Sequence, residues 1–150
     1  SSVSPFRTMW QMFGCARRAM NKLSLRFIKA AFACLALGLA LGVSFALDRS
    51  LGARLRPLHA ELNLWGWVTL LIYGFGSHML PRFLGRPLVH LRTANTQQAL
   101  AIGGVALAAI GWLGIAFGFP YALYICVLGA LAQLVAALLF VWQIGQLLGA

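Results

Sequence analysis

An all-α fold, a four-helix bundle integral to a membrane, is what the sequence predicts, and three observations carry that prediction. Hydrophobic residues make up 61% of the 150 and charged ones only 9%, with a mean hydropathy of +0.85, more apolar surface than one soluble core can bury. Four apolar runs, Leu25–Leu47, Leu58–Leu80, Gln97–Phe119 and Tyr121–Leu148, each reach the roughly 20 residues a tilted helix needs to cross about 30 Å of hydrocarbon. Basic residues gather mainly at the borders of these runs, as they do where lipid excludes charge.

The first 24 residues are of another kind. Phe6, Met9, Trp10, Phe13, Met20 and Leu23 interleave with Arg17, Arg18 and Lys22, as in a helix lying in the cytoplasmic interface; a loose tail or a docking arm are the alternatives. Residues 1–24 are therefore set apart as an N-terminal segment, and residues 25–150 form the membrane domain. The first apolar run is longer than a signal-peptide core and no small-x-small cleavage site follows it, so it is read as a retained helix.

Small residues mark where these helices approach one another. Gly38-x-x-x-Gly42 lies in the first run, Gly66, Thr69, Gly74 and Ser77 in the second, and Gly111, Gly114 and Gly118 in the third. The notches serve helix contact within the chain or face a partner chain or a flat macrocycle. In the fourth run, Gln133 is a lone amide near mid-membrane, where an unpaired polar group is costly, so a bond to a neighbouring helix is expected, with a quinone or proton role as the alternative. Cys15, Cys34 and Cys126 are widely spaced, with no CxxC or CxxCH, and read as packing residues.

Arg7, Arg17, Arg18, Lys22, Arg26 and Lys29 lie before or at the start of the first helix, and Arg82, Arg86 and Arg92 lie between the second and third. Only Arg49, Arg54 and Arg56 lie on the other side. By the positive-inside rule both termini are cytoplasmic. The net charge of +10 is assigned to topology and lipid headgroups rather than to nucleic acid, because no soluble module presents it.

The second run opens with Arg54-Leu-Arg56-Pro-Leu-His59-Ala-Glu61-Leu-Asn63-Leu-Trp-Gly66, and carries the chemistry. Helical spacing puts His59 and Asn63 on one face with Gly66, Leu70 and Tyr73, while Glu61 points about 160° away. A neutral imidazole at a helix mouth is either a structural group bonded at the helix start or an iron ligand, one nitrogen on the metal and the other held by a carbonyl or polar neighbour. If it is a ligand, Gly66 leaves room for a porphyrin, and Arg54 and Arg56 can pair with its propionates. No phosphate-cradling loop and no nucleophile–histidine–acid set is present.

The segment Arg54-Leu-Arg-Pro-Leu-His59 resembles the start of the second core helix in the catalytic subunit of cbb-type haem-copper oxidases. His59 to Thr69, continuing to Tyr73-Gly74 and Pro81, also resembles short four-helix bacterial membrane proteins related to that subunit. The likeness covers about 35 residues and a similar topology. It implies that His59 ligates a low-spin haem b near the outer face of a bacterial inner membrane. Two departures qualify it: many of the short relatives carry histidine where this chain has Glu61, and the chain is too short for the twelve-helix core that supplies the remaining ligands. Oxygen reduction by this chain alone is not expected.

A second axial ligand is hard to find in one chain. His78 is 19 residues further along the same helix, about 28 Å at roughly 1.5 Å per residue, and His90 lies beyond it on the cytoplasmic side. Either two chains share one haem between their His59 side chains, or the iron is five-coordinate, or Glu61 or Tyr124 serves. The expected function is haem b binding for electron transfer or haem-based gas binding, in a homodimer or as a subunit of a respiratory complex. The competing expectation is a cofactor-free structural or assembly subunit.

Overall fold

The computed structural model describes residues 5–85 and 91–149, with side chains from Lys22 onward. Every regular element among them is helical. Helix α1 spans Pro5–Leu47 and runs without a break from the N-terminal segment into the first apolar run. Proline at its first position costs nothing, because that N–H has no acceptor in a helix anyway. Helix α2 (Arg49–Ala60), a π-helical segment (Glu61–Thr69) and α3 (Leu70–Phe83) follow one another with no intervening residue, and form one compound rod. Helices α4 (Leu91–Ala116) and α5 (Ala122–Gly149) complete the chain.

Among the described residues three stretches are long and apolar enough to cross a membrane: Lys22–Leu47, Leu91–Ala116 and Ala122–Gly149. The expected second run, Leu58–Leu80, falls inside the compound rod, where the π segment divides it into pieces each too short to qualify alone. The π geometry needs one residue more per hydrogen-bonded loop than an α-helix. Thr69 supports it by donating from Oγ1 to the Leu64 carbonyl, five residues back, at 2.8 Å.

Asp48 is the single non-helical residue between α1 and α2. Its backbone is extended (φ −137°, ψ 107°), and its Oδ1 accepts the Ser50 N–H at 2.8 Å, so the residue that ends one helix caps the next. The rod then folds back along α1 in a register that glycines fix. A Cβ on Gly42 would lie 3.3 Å from His59 Cε1, one on Gly38 2.6 Å from Asn63 Nδ2, one on Gly66 2.7 Å from Cys34 Cβ, and one on Gly74 3.1 Å from Phe27 Cβ. Near the α1–α2 turn the notches are on α1 and the inserted side chains on the rod; further from the turn the roles reverse. Close backbone approach of this kind is what small residues permit, and far from the turn Ser24 Oγ donates to the Gly74 carbonyl at 2.8 Å.

Helices α4 and α5 form a second antiparallel hairpin. Gly118, at φ 73°, ends α4 in a Schellman arrangement: its N–H goes to the Ile115 carbonyl and that of Phe119 to the Gly114 carbonyl. A Cβ on Gly111 would come within 2.5 Å of Cys126 N, and one on Gly104 within 2.9 Å of Gln133 Cγ. The two hairpins meet around buried Phe27, Leu70, Tyr73, Ala101 and Ala136. The Tyr73 ring packs edge-on to Phe27 with centroids 5.9 Å apart, and lies 4.7 Å from Phe140. Outside this core, Leu37, Val43, Leu128 and Val141 are among many large apolar side chains left exposed, the surface that lipid would cover.

Candidate functional site

The compound rod presents two different chemistries to its two neighbours. On the α1 side, His59 Nδ1 lies 2.9 Å from the Gly38 carbonyl oxygen. Asn63 Nδ2 donates to the His59 carbonyl at 2.8 Å, and the amide nitrogen lies against the imidazole edge, 3.4 Å from Nδ1 and 3.5 Å from Nε2. The ring meets Phe45 edge-on with centroids 5.4 Å apart. The π segment matters here, because its altered hydrogen bonding begins two residues after His59, and the Asn63 side chain takes up a carbonyl at that transition.

Of the residues the sequence singles out, His59 and Asn63 come together in the Gly38–Gly42 notch of α1. Gly66 lies one turn further along the same interface, where Cys34 occupies the space expected for a macrocycle. Arg54 and Arg56 are exposed on α2, near the rod's N-terminal end. Tyr124 is exposed on α5, its ring 6.3 Å from that of Tyr121. His78 is near the rod's C-terminal end, with Arg82 Nη1 3.1 Å from its Nε2. His90 lies outside the described residues.

On the opposite side Glu61 faces α5. Its Oε1 accepts from Gln133 Nε2 at 2.5 Å. Both side chains are buried, and they line a groove of about 420 Å³ with Trp65, Trp112 and Cys126. The Cys126 thiol is spent on the Ala108 carbonyl, at 3.5 Å. A second groove of about 440 Å³, between α1, the rod and α4, has an almost wholly apolar lining that includes Leu41, Leu58 and Leu62. Neither groove is lined by His59.

The bond from Gln133 to a neighbouring helix is as the sequence leads one to expect; that Glu61 is its partner is what reading along the chain misses. The available signal was that each is an isolated polar group within an apolar run, and two such groups on adjacent helices lower each other's burial cost by meeting.

Among the described residues no group of three or more His, Cys, Asp or Glu is placed to hold a metal ion. His59, by contrast, has the carbonyl partner that fixes a ligating imidazole, with Nδ1 carrying the hydrogen and the lone pair left on Nε2. No protein-family model matches this chain, and neither does any curated protein or solved structure.

Proposed function

We propose that the chain is a membrane protein of four spanning helices, the compound rod being the second, and that His59 is an axial ligand for haem b at its outer end. The observation that carries this reading is the 2.9 Å contact between His59 Nδ1 and the Gly38 carbonyl, which selects the tautomer with its lone pair on Nε2, where the nearest donor is the Asn63 amide at 3.5 Å. Asn63 steadies the same turn through the His59 carbonyl. Arg54 and Arg56, exposed and free of hydrogen bonds to the described residues, are placed to neutralise carboxylates at the membrane border. A bound haem would supply one-electron transfer or gas ligation, and the resemblance to oxidase subunits favours the first.

The cellular setting that goes with this reading is a bacterial inner membrane, with both termini cytoplasmic and the chain acting as a homodimer or within a respiratory assembly. Oxygen reduction would need ligands that this chain does not carry.

One observation favours a second reading, a cofactor-free structural subunit. The notch at Gly38 and Gly42 is filled by His59 and Asn63 themselves, and Gly66 is closed by Cys34, so the same histidine also serves helix packing. The visible absorption spectrum of the purified protein separates the two. A Soret band with sharp reduced α and β bands supports the haem reading; a colourless protein with intact helices overturns it.

A further inference from the structure

We propose that the groove between the π segment, α4 and α5 holds one anionic phospholipid, its acyl chain lying along Trp65 and Trp112 and its phosphate paired with Arg54. This site lies on the other side of the rod from His59 and does not depend on haem; it requires only that the chain sit in a bilayer.

The dimensions of the groove suit an extended chain. Its α5 wall runs from Leu123 to Ala137, about 21 Å at roughly 1.5 Å per residue. Leu123 is the second residue of the membrane-length stretch Ala122–Gly149, and Ala137 lies just past the middle of that stretch. The groove therefore covers the depth of one leaflet, half of about 30 Å of hydrocarbon. Apolar side chains make up most of the lining around its volume of about 420 Å³, and Leu123, Val127 and Leu134 are exposed on its rim, so it opens sideways to lipid.

A cation stands at the border end of this groove. Leu55 and Leu58 of α2 pack with Trp112 and Ala116 near the end of α4, so α2 and the start of α5 lie at the same end of the bundle. Arg54 falls between Gly52, whose Cβ would lie 3.3 Å from Phe45 Cβ, and His59, which meets Gly42. It is therefore level with the last turns of Lys22–Leu47, where the apolar stretch ends. Arg54, Leu58 and Glu61 are spaced by four and three residues and share one face of the rod, and Glu61 lines the groove. Exposed Tyr121 and Tyr124 begin α5 at the same end, as phenol rings do at the headgroup level.

The charge on Arg54 selects the lipid. The chain has only two acids. Asp48 is close enough to feel Arg54 but is committed to the α2 cap, and Glu61 is bonded to Gln133. A guanidinium without a carboxylate takes a phosphate in a two-pronged pair, and a zwitterionic lipid brings a competing ammonium of its own. Arg56 is about 200° further round α2 at 100° per residue, so the two arginines do not grip one headgroup. It flanks His59 instead, and is the one left for a haem carboxylate.

The test uses the full chain in phosphatidylcholine nanodiscs containing a low fraction of phosphatidylglycerol or phosphatidylcholine brominated midway along the acyl chain, which quenches tryptophan on contact. The part of the quenching that disappears in Trp65→Phe and Trp112→Phe variants belongs to the groove. Brominated phosphatidylglycerol should occupy it about fivefold more readily than brominated phosphatidylcholine, the effect of one basic residue on an anionic lipid. Arg54→Gln should remove that preference and Arg56→Gln should keep it. Ala130→Leu, which fills the groove, should remove the groove quenching by both lipids. Equal quenching by the two lipids, an unchanged preference in Arg54→Gln, or equal losses in Arg54→Gln and Arg56→Gln would each overturn the proposal. So would the absence of groove quenching by either lipid in the wild type, which would mean that another helix, such as one from a second copy of the chain, covers the groove.

Discussion

His59 Nδ1 and the Gly38 carbonyl oxygen lie 2.9 Å apart, across the interface between α1 and the compound rod. A carbonyl can only accept, so the hydrogen sits on Nδ1 and the ring orientation is set by backbone rather than by a mobile side chain. His59→Ala should therefore bring haem content to background while the helices still insert, since insertion depends on the apolar runs. Loss of the hydrogen bond should lower stability by only about 1 kcal/mol. A pyridine haemochrome assay on purified wild type and variant checks this, and normal haem in the variant sinks the assignment.

The hairpin of α4 and α5 makes a sharper stability prediction. A Cβ on Gly111 would meet Cys126 N at 2.5 Å and Cys126 Cα at 2.9 Å, backbone atoms that cannot move aside. On Gly103 it would meet nothing within 4 Å. Gly111→Ala should destabilise by about 1–3 kcal/mol through overpacking, whereas Gly103→Ala should be neutral or gain up to about 1 kcal/mol from helix propensity. Thermal unfolding followed by circular dichroism in one detergent compares them, and equal midpoints would mean that the helices do not approach at Gly111.

Much of this architecture can be read from the chain, and the parts that cannot have a common cause. Lengths of apolar run and the spacing of Gly38, Gly42, Gly111 and Gly114 announce helices that pack closely, because both properties are local. Which side chain fills which notch is decided by two helices at once, so the match of Gly66 with Cys34 has no mark in either segment alone. The same holds for Glu61 with Gln133, separated by 72 residues. The bond from His59 to Gly38 is harder still to foresee, since its acceptor is a carbonyl and every residue has one. The π segment follows Pro57, which cannot donate to the preceding turn, but proline inside a helix does not specify that outcome over a simple kink.

Gln97 is 1% exposed in α4, and neither atom of its amide has a hydrogen-bond partner among the described residues. Leaving such a group unsatisfied costs about 1–3 kcal/mol. Gln97→Met, of similar volume and flexible, should therefore raise stability by an amount in that range, visible as a higher unfolding midpoint. A lower midpoint would show that the amide has a partner in the working protein, such as a bound water.

Asp48 supplies a pH dependence whose sign is fixed by its cap. The Ser50 hydroxyl and backbone N–H hold its carboxyl below the usual carboxylate range, with help from Leu51 N–H and Arg54. A group whose value is lowered on folding contributes stability that is complete above its unfolded value of about 4 and is lost as the pH falls through the folded value. Asp48→Asn, which can still cap α2, should flatten this acid limb of the stability curve without altering stability at neutral pH by much. An acid limb unchanged in the variant would show that the Asp48 cap is not its source.

The last prediction concerns how many chains one haem needs. Among the described residues His59 is the only histidine at the end of the bundle formed by the α1–α2 turn; His78 sits beyond the level of Gly74 at the other end, Glu61 is turned to Gln133, and Tyr124 faces outward from α5. A six-coordinate spectrum would then require a second chain, and a two-fold pair donating His59 from each is the simplest closed arrangement. Haem content should be about one per two chains, and dissociating the oligomer should release it or leave a high-spin form that binds carbon monoxide. Haem analysis combined with light-scattering mass in detergent measures the ratio. One low-spin haem per chain in a proven monomer would refute sharing, and would direct the search to a ligand within the same chain.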